Sequence, residues 1–298
     1  MLTLVLCGGG VKSTFQIGYL IELLKSGIAI DEIYASSMGS ILAILVANKR
    51  IDLLETLYDH INKLSDPFTK WPWYISNYIS MFFRLGMYKK NNLVNLVWNK
   101  LSDQEKEIAK NTCNIATWNI LEKKQEWFGG KNTSITDFYN GLTASCSLWL
   151  LVPPLAYKNS YYLDGGCCDF FPINPIINAT NINQKVIFLD SCTRDHKPLD
   201  TLPTNAIDLM FNLHDICLDR IGEMQLEKLH HKYQENLMII RPEYDILTNT
   251  LDFDRAKMSK NILLGREKFK KTEKELRYLL GKDAVYTQKW NPMTLGTS

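Results

Sequence analysis

The 298-residue chain has no long hydrophobic run. Its longest uncharged stretch near the N-terminus, Ile33 to Asn48, contains three serines and a glycine. That falls short of the ~20 apolar residues a spanning helix needs, so no transmembrane helix is expected. Charge of one sign is also missing: 34 basic residues against 32 acidic ones leave +2. No global field draws such a chain to nucleic acid, and none is expected as a partner. The seven cysteines (7, 113, 146, 167, 168, 192, 217) are odd in number and contain no CxxC pair, which argues for reduced thiols and against zinc. Met1 to Leu6 lack the basic n-region of a signal peptide. An intracellular protein, cytoplasmic or bound to a membrane surface, is therefore expected. Internal repeats and linkers rich in Gly, Pro or Ser are absent too.

Against these absences stands a 46% apolar composition, enough to build a large core. Leu2 to Leu6 is a short uncharged run of the kind buried on both faces of a parallel sheet. Three glycines, Gly8, Gly9 and Gly10, end it, and from Phe15 the apolar spacing becomes helical through Leu24, with Gly27 as a stop. A second run, Glu32 to Ala35, breaks at Ser36-Ser37-Met38-Gly39 into another apolar helix reaching Ala47. Strand, turn and helix twice in succession predict βαβ units, a parallel sheet, and both turns on one rim. Apolar runs follow near Ile115 to Trp118 and at Leu148 to Leu155, the latter interrupted by Pro153-Pro154, and a further strand is expected at Val186 to Leu189.

Three features could carry chemistry. Ala35-Ser36-Ser37-Met38-Gly39 is one residue away from the G-x-S-x-G nucleophile elbow, in which small neighbours permit a tight strand-to-helix turn. Ser37 reads as a nucleophile or simply as a helix N-cap. The glycine run exposes main-chain N–H groups at a helix start, which suits an anion or an oxyanion. A P-loop ending in Lys12-Ser13 fails at both glycine positions, and a G-x-G-x-x-G fingerprint has Ser13 where its third glycine belongs. The third feature, Asp164-Gly165-Gly166, taken singly is a turn.

Together, in this order and spacing, the three elements resemble the patatin-like phospholipases. That family's oxyanion loop, G-G-G-x-[KR]-G, is similar to Gly8 through Ser13, its serine elbow to residues 35–39, and its D-G-[GA] to Asp164-Gly165-Gly166. Gly18-Tyr19-Leu20, Ala144-Ser145-Cys146 and Asp169 to Pro172 also look similar. Ala35 and Ser13 depart from family glycines. The resemblance implies a three-layer α/β/α fold with a mainly parallel central sheet. It also implies a Ser37–Asp164 dyad, an oxyanion hole from Gly8, Gly9, Gly10 and Val11, no metal or cofactor, and a phospholipid or other acyl ester as substrate. Two further readings compete with that enzyme. One is a patatin-fold lipid binder disabled at the Ser13 position; the other is a Ser, Asp, His triad using His196 or His214, which follow Asp164 in the right order.

The expected layout is a catalytic domain over residues 1–200, with an aromatic-rich helical insertion at about 65–110, and a helical extension over 201–298 packed on it. Two segments could meet a membrane. Residues 71–88 crowd Trp, Tyr and Phe beside Arg84, Lys89 and Lys90, and could equally be core or a lid. Arg255 to Lys289 carries eleven Lys or Arg against four acids, as a solvated face with pairs such as Glu267 with Lys271 or as a lipid contact.

Overall fold

In the computed structural model, the described residues are 1–59, 68–70, 85–168, 170–193, 206–247, 250 and 252–281. Residues 71–84 of the aromatic segment, Asp169, His196 and the end of the basic tail lie outside them.

The first strand, β1 (Leu2–Leu6), is buried at every position. Its alternation feeds two separate cores: Leu2, Leu4 and Leu6 pack on one face of the sheet, Val5 and Cys7 on the other. Helix α1 (Thr14–Lys25) follows, then β2 (Glu32–Ala35) and α2 (Met38–Ala47). Both helices are apolar nearly all round because each is enclosed between the sheet and further helices. The eight-stranded sheet runs, from one edge, Leu237–Ile240, Lys185–Leu189, β1, β2 and Cys113–Asn119, all parallel. It continues with Ser160–Asp164 and Leu155–Tyr157, antiparallel, while Lys124–Gly129 pairs antiparallel with Cys113–Asn119. One face carries α1, α2 and the C-terminal helix Arg255–Leu279; the other carries Phe171, Ile176 and the helix Ala206–Tyr233 through Leu226, Leu229 and Tyr233. This is the three-layer α/β/α arrangement with a mainly parallel sheet.

The C-terminal portion, expected as a helical extension, also contributes a strand. Leu237–Ile240 completes the parallel sheet beside Lys185–Leu189, so residues beyond 200 belong to the sheet itself. The basic helix Arg255–Leu279 buries Met258, Leu264, Phe269, Leu276 and Leu279 and leaves Lys260, Lys270, Lys271 and Lys274 exposed. Its approach to α1 is set by two glycines: a Cβ at Gly18 would strike the Ile262 carbonyl, and one at Gly265 the Phe15 carbonyl. Among the described residues, no helix is long and apolar enough to cross a membrane.

Candidate active site

Four parallel strands deliver their carboxyl ends to one rim: β1 into Gly8–Gly10, β2 into Ser36-Ser37, Lys185–Leu189 into Asp190-Ser191, and Leu237–Ile240 into Arg241. Ser37 is forced into φ 54, ψ −133, a conformation that costs a residue with a side chain about 1–3 kcal/mol. The turn is held by its surroundings. The Ser37 N–H donates to Ser145 Oγ at 2.9 Å, the Ser40 N–H donates to the Ser37 carbonyl at 2.9 Å, and Ser40 Oγ lies 3.0 Å from Ser145 Oγ. Gly39 must be small, because a Cβ there would strike the Leu6 carbonyl. Ala35 is absent from the residues with positive φ, so alanine serves where the family pattern has glycine.

The glycine run bends at φ 145 for Gly9 and φ 54 for Gly10, torsions that side chains disfavour. Gly8 lies against the serine: a Cβ there would be 2.7 Å from Ser37 Cβ and 3.4 Å from Ser37 Oγ. Ser13, the other departure from family glycines, sits at φ −63, ψ −5, where no glycine is needed. Among the described residues no acceptor takes the N–H of Gly8, Gly9 or Gly10. Val11 differs from the expectation. The turn at Gly10 aims its N–H at the Thr250 carbonyl, 3.0 Å away, so this amide is already committed.

Asp164 reaches the serine through strand geometry. Lys124–Gly129 occupies one edge of Cys113–Asn119 from residue 114 to 119. The other edge is shared: β2 pairs with residues 113–115, and Ser160–Asp164 pairs antiparallel with 117–119. Two strands therefore meet nose to nose across Ala116, one ending at Ala35 and the other at Asp164. The meeting sets the Ser37 hydroxyl beside the Asp164 carboxyl, near enough to draw its pKa down, and Asp164 Oδ1 accepts the Gly166 N–H at 2.9 Å. Asp164 is only 2% exposed. Burial raises its pKa to about 6, against the opposing pull of the nearby Ser37 hydroxyl and the Gly166 N–H. Burial also pushes the thiols of Cys146 and Cys167 far up, with the Asp164 charge adding to it, so they stay protonated beside the site.

His214 places Nε2 3.0 Å from the Cys167 carbonyl and its ring against Trp149, with centroids 4.8 Å apart. Among the described residues no histidine is bonded to Ser37 or Asp164, as a triad would require. Among the described residues, no group of three or more His, Cys, Asp or Glu is placed to hold a metal. Ser145 emerges as a residue of the site that sequence reasoning did not single out. The Ala144-Ser145-Cys146 similarity pointed at it without indicating its bond to the elbow.

The pattern of the patatin-like phospholipases matches residues 4–177. The chain is 28% identical over 181 residues to lysophospholipase NTE1 of Candida albicans, covering 57% of this chain and 12% of that protein. It is 26% identical over 190 residues to the probable lipid hydrolase 463L of invertebrate iridescent virus 6, covering 61% of this chain and 66% of that one. It thus spans about an eighth of the yeast relative's length. The crystal structure of VipD from Legionella pneumophila superposes with a TM-score of 0.50 at 12% identity, over 94% of this chain and 66% of that one, a likeness of fold. With more than half the chain matched and the elbow, glycine run and aspartate all on one rim, the chain belongs to the patatin-like phospholipase family.

Proposed function

We propose that the protein is a serine lipid acyl hydrolase, of phospholipase A or lysophospholipase type, working through a Ser37–Asp164 dyad. The observation that carries this reading is the Ser37 hydroxyl standing beside a buried carboxyl whose pKa burial raises to about 6. A carboxyl at its ordinary pKa is a feeble base toward a serine; raising it brings it closer to the proton it must accept. Ser37 Oγ attacks the ester carbonyl as Asp164 takes its proton, and the N–H groups of Gly8, Gly9 and Gly10 receive the oxyanion. The leaving alcohol takes the proton back from Asp164 as the tetrahedral intermediate collapses to an acyl-enzyme. Water, deprotonated by the same carboxylate, then releases the fatty acid. Each oxyanion donor contributes about 10²- to 10³-fold in rate, so the glycine run carries much of the catalysis. No metal or cofactor enters the scheme.

Lipid substrates lie in an interface, and the exposed Lys260, Lys270, Lys271 and Lys274 suit contact with anionic headgroups. Among the described residues no disulfide joins the seven cysteines, which fits a reducing compartment.

A fluorophosphonate probe tests the reading. It is expected to label Ser37, with labelling abolished in Ser37→Ala and reduced about 10³-fold in Asp164→Asn. Folded but unlabelled wild-type protein would leave a patatin-fold lipid binder. For the wild type, kcat/KM is expected to fall about tenfold per pH unit below pH 6 and to level off above it, because only ionised Asp164 accepts the proton.

A further inference from the structure

The glycine run accounts for its carbonyls one by one. Gln16 Nε2 donates to the Cys7 carbonyl at 3.0 Å and to the Leu189 carbonyl at 2.8 Å. Ser191 Oγ donates to the Gly8 carbonyl at 2.7 Å, the Lys12 N–H to the Gly9 carbonyl at 3.0 Å, and the Tyr58 hydroxyl to the Gly10 carbonyl at 3.2 Å. A peptide unit is planar and trans, so fixing a carbonyl points the next residue's N–H the opposite way. Holding the carbonyls of Cys7, Gly8 and Gly9 therefore sets the N–H directions of Gly8, Gly9 and Gly10, the same three amides that find no acceptor among the described residues.

We infer that Gln16 and Ser191 are positioning residues for this reaction: from outside the substrate's reach they lock the oxyanion donors in the direction that receives the developing charge. The inference rests on the acyl hydrolase reading above. Both side chains are built into the place. Gln16 is fully buried, with both amide protons spent on two carbonyls and Oε1 left without a partner among the described residues, a costly choice if packing were its purpose. Carbonyls only accept, so the amide orientation follows. Ser191 is 2% exposed, and its hydroxyl fills the space any side chain at Gly9 would need. Its main-chain N–H is tied at 2.8 Å to Asp190 Oδ1, and that buried carboxylate lies 3.4 Å from Arg241 Nε.

The test compares wild type with Ser191→Ala, Ser191→Thr and Gln16→Met on p-nitrophenyl butyrate and in Ser37 labelling by a fluorophosphonate. The expected result for Ser191→Ala and Gln16→Met is a ten- to hundredfold fall in kcat and in labelling rate, with KM within about twofold. The acidic limb of the pH profile should stay near 6, because Asp164 is untouched. Ser191→Thr, which restores a hydroxyl, is expected to recover at least a third of the loss. A folded Ser191→Ala with kcat within twofold of wild type overturns the inference, as does a shifted acidic limb. The Ser191 pair decides alone if Gln16→Met fails to fold. Wild-type protein that does not label at Ser37 overturns the hydrolase reading instead, so the two failures are distinct.

Discussion

Asp164 shows what the site costs. A carboxyl whose folded-state pKa of about 6 exceeds the ordinary 3.8 holds its proton more tightly in the folded chain than in the unfolded one. Its contribution favours folding at low pH and is lost as pH rises between about 4 and 6, leaving a penalty of up to about 3 kcal/mol above pH 6. Asp164→Asn is therefore expected to raise Tm at pH 7.5 relative to wild type while removing activity, and to show little difference at pH 4; calorimetry at both values checks it. Ser145 works in the opposite direction. Ser145→Ala leaves the Ser37 N–H without its acceptor, and an unsatisfied buried donor costs about 1–3 kcal/mol. Urea unfolding should register that loss, and Ser37 labelling should slow because the strained turn is no longer held. Ser37, Asp164 and the glycines were legible because each belongs to a local motif of unusual residue types. Gln16, Ser145 and Ser191 were not, since a glutamine or serine acquires its role only from a carbonyl or amide brought near by folding.

Among the elements, the close crossing of α1 with Arg255–Leu279 is the least tolerant. Gly18→Ala would drive a methyl into the Ile262 carbonyl, a main-chain atom that cannot rotate aside. We expect a loss of about 1–3 kcal/mol in urea unfolding, with Ala substitution at exposed Lys270 as a neutral control. β1, β2, α1 and α2 were readable because their apolar periods are clean and their ends carry glycine or serine. The strand Leu237–Ile240 was missed: four apolar residues following a long helix carry too short a pattern to separate from it. The antiparallel Lys124–Gly129 has mixed polarity, because all of its residues are exposed or half-buried. Neither strand announces itself without its neighbour.

For the whole molecule, a boundary near residue 200 would cut through the sheet rather than beside it. Leu237–Ile240 covers the edge of Lys185–Leu189, and the C-terminal helix covers α1. A chain ending at residue 200 would bare that edge and an apolar helix face together. It is expected to aggregate, and size exclusion with urea unfolding of the truncated and full chains tests this against an independently stable catalytic unit.

The nose-to-nose meeting of two strands at Ala116 has an evolutionary consequence. Ser37 and Asp164 are aligned by counting along a shared ladder, so the chain between them is free to gain or shed whole loops without parting them. A single residue inserted between Ile115 and Thr117 is different. It moves one of the two side chains about 3.3 Å and turns it to the wrong side. Variation among relatives should therefore collect in connections and stop abruptly at these few ladder rungs.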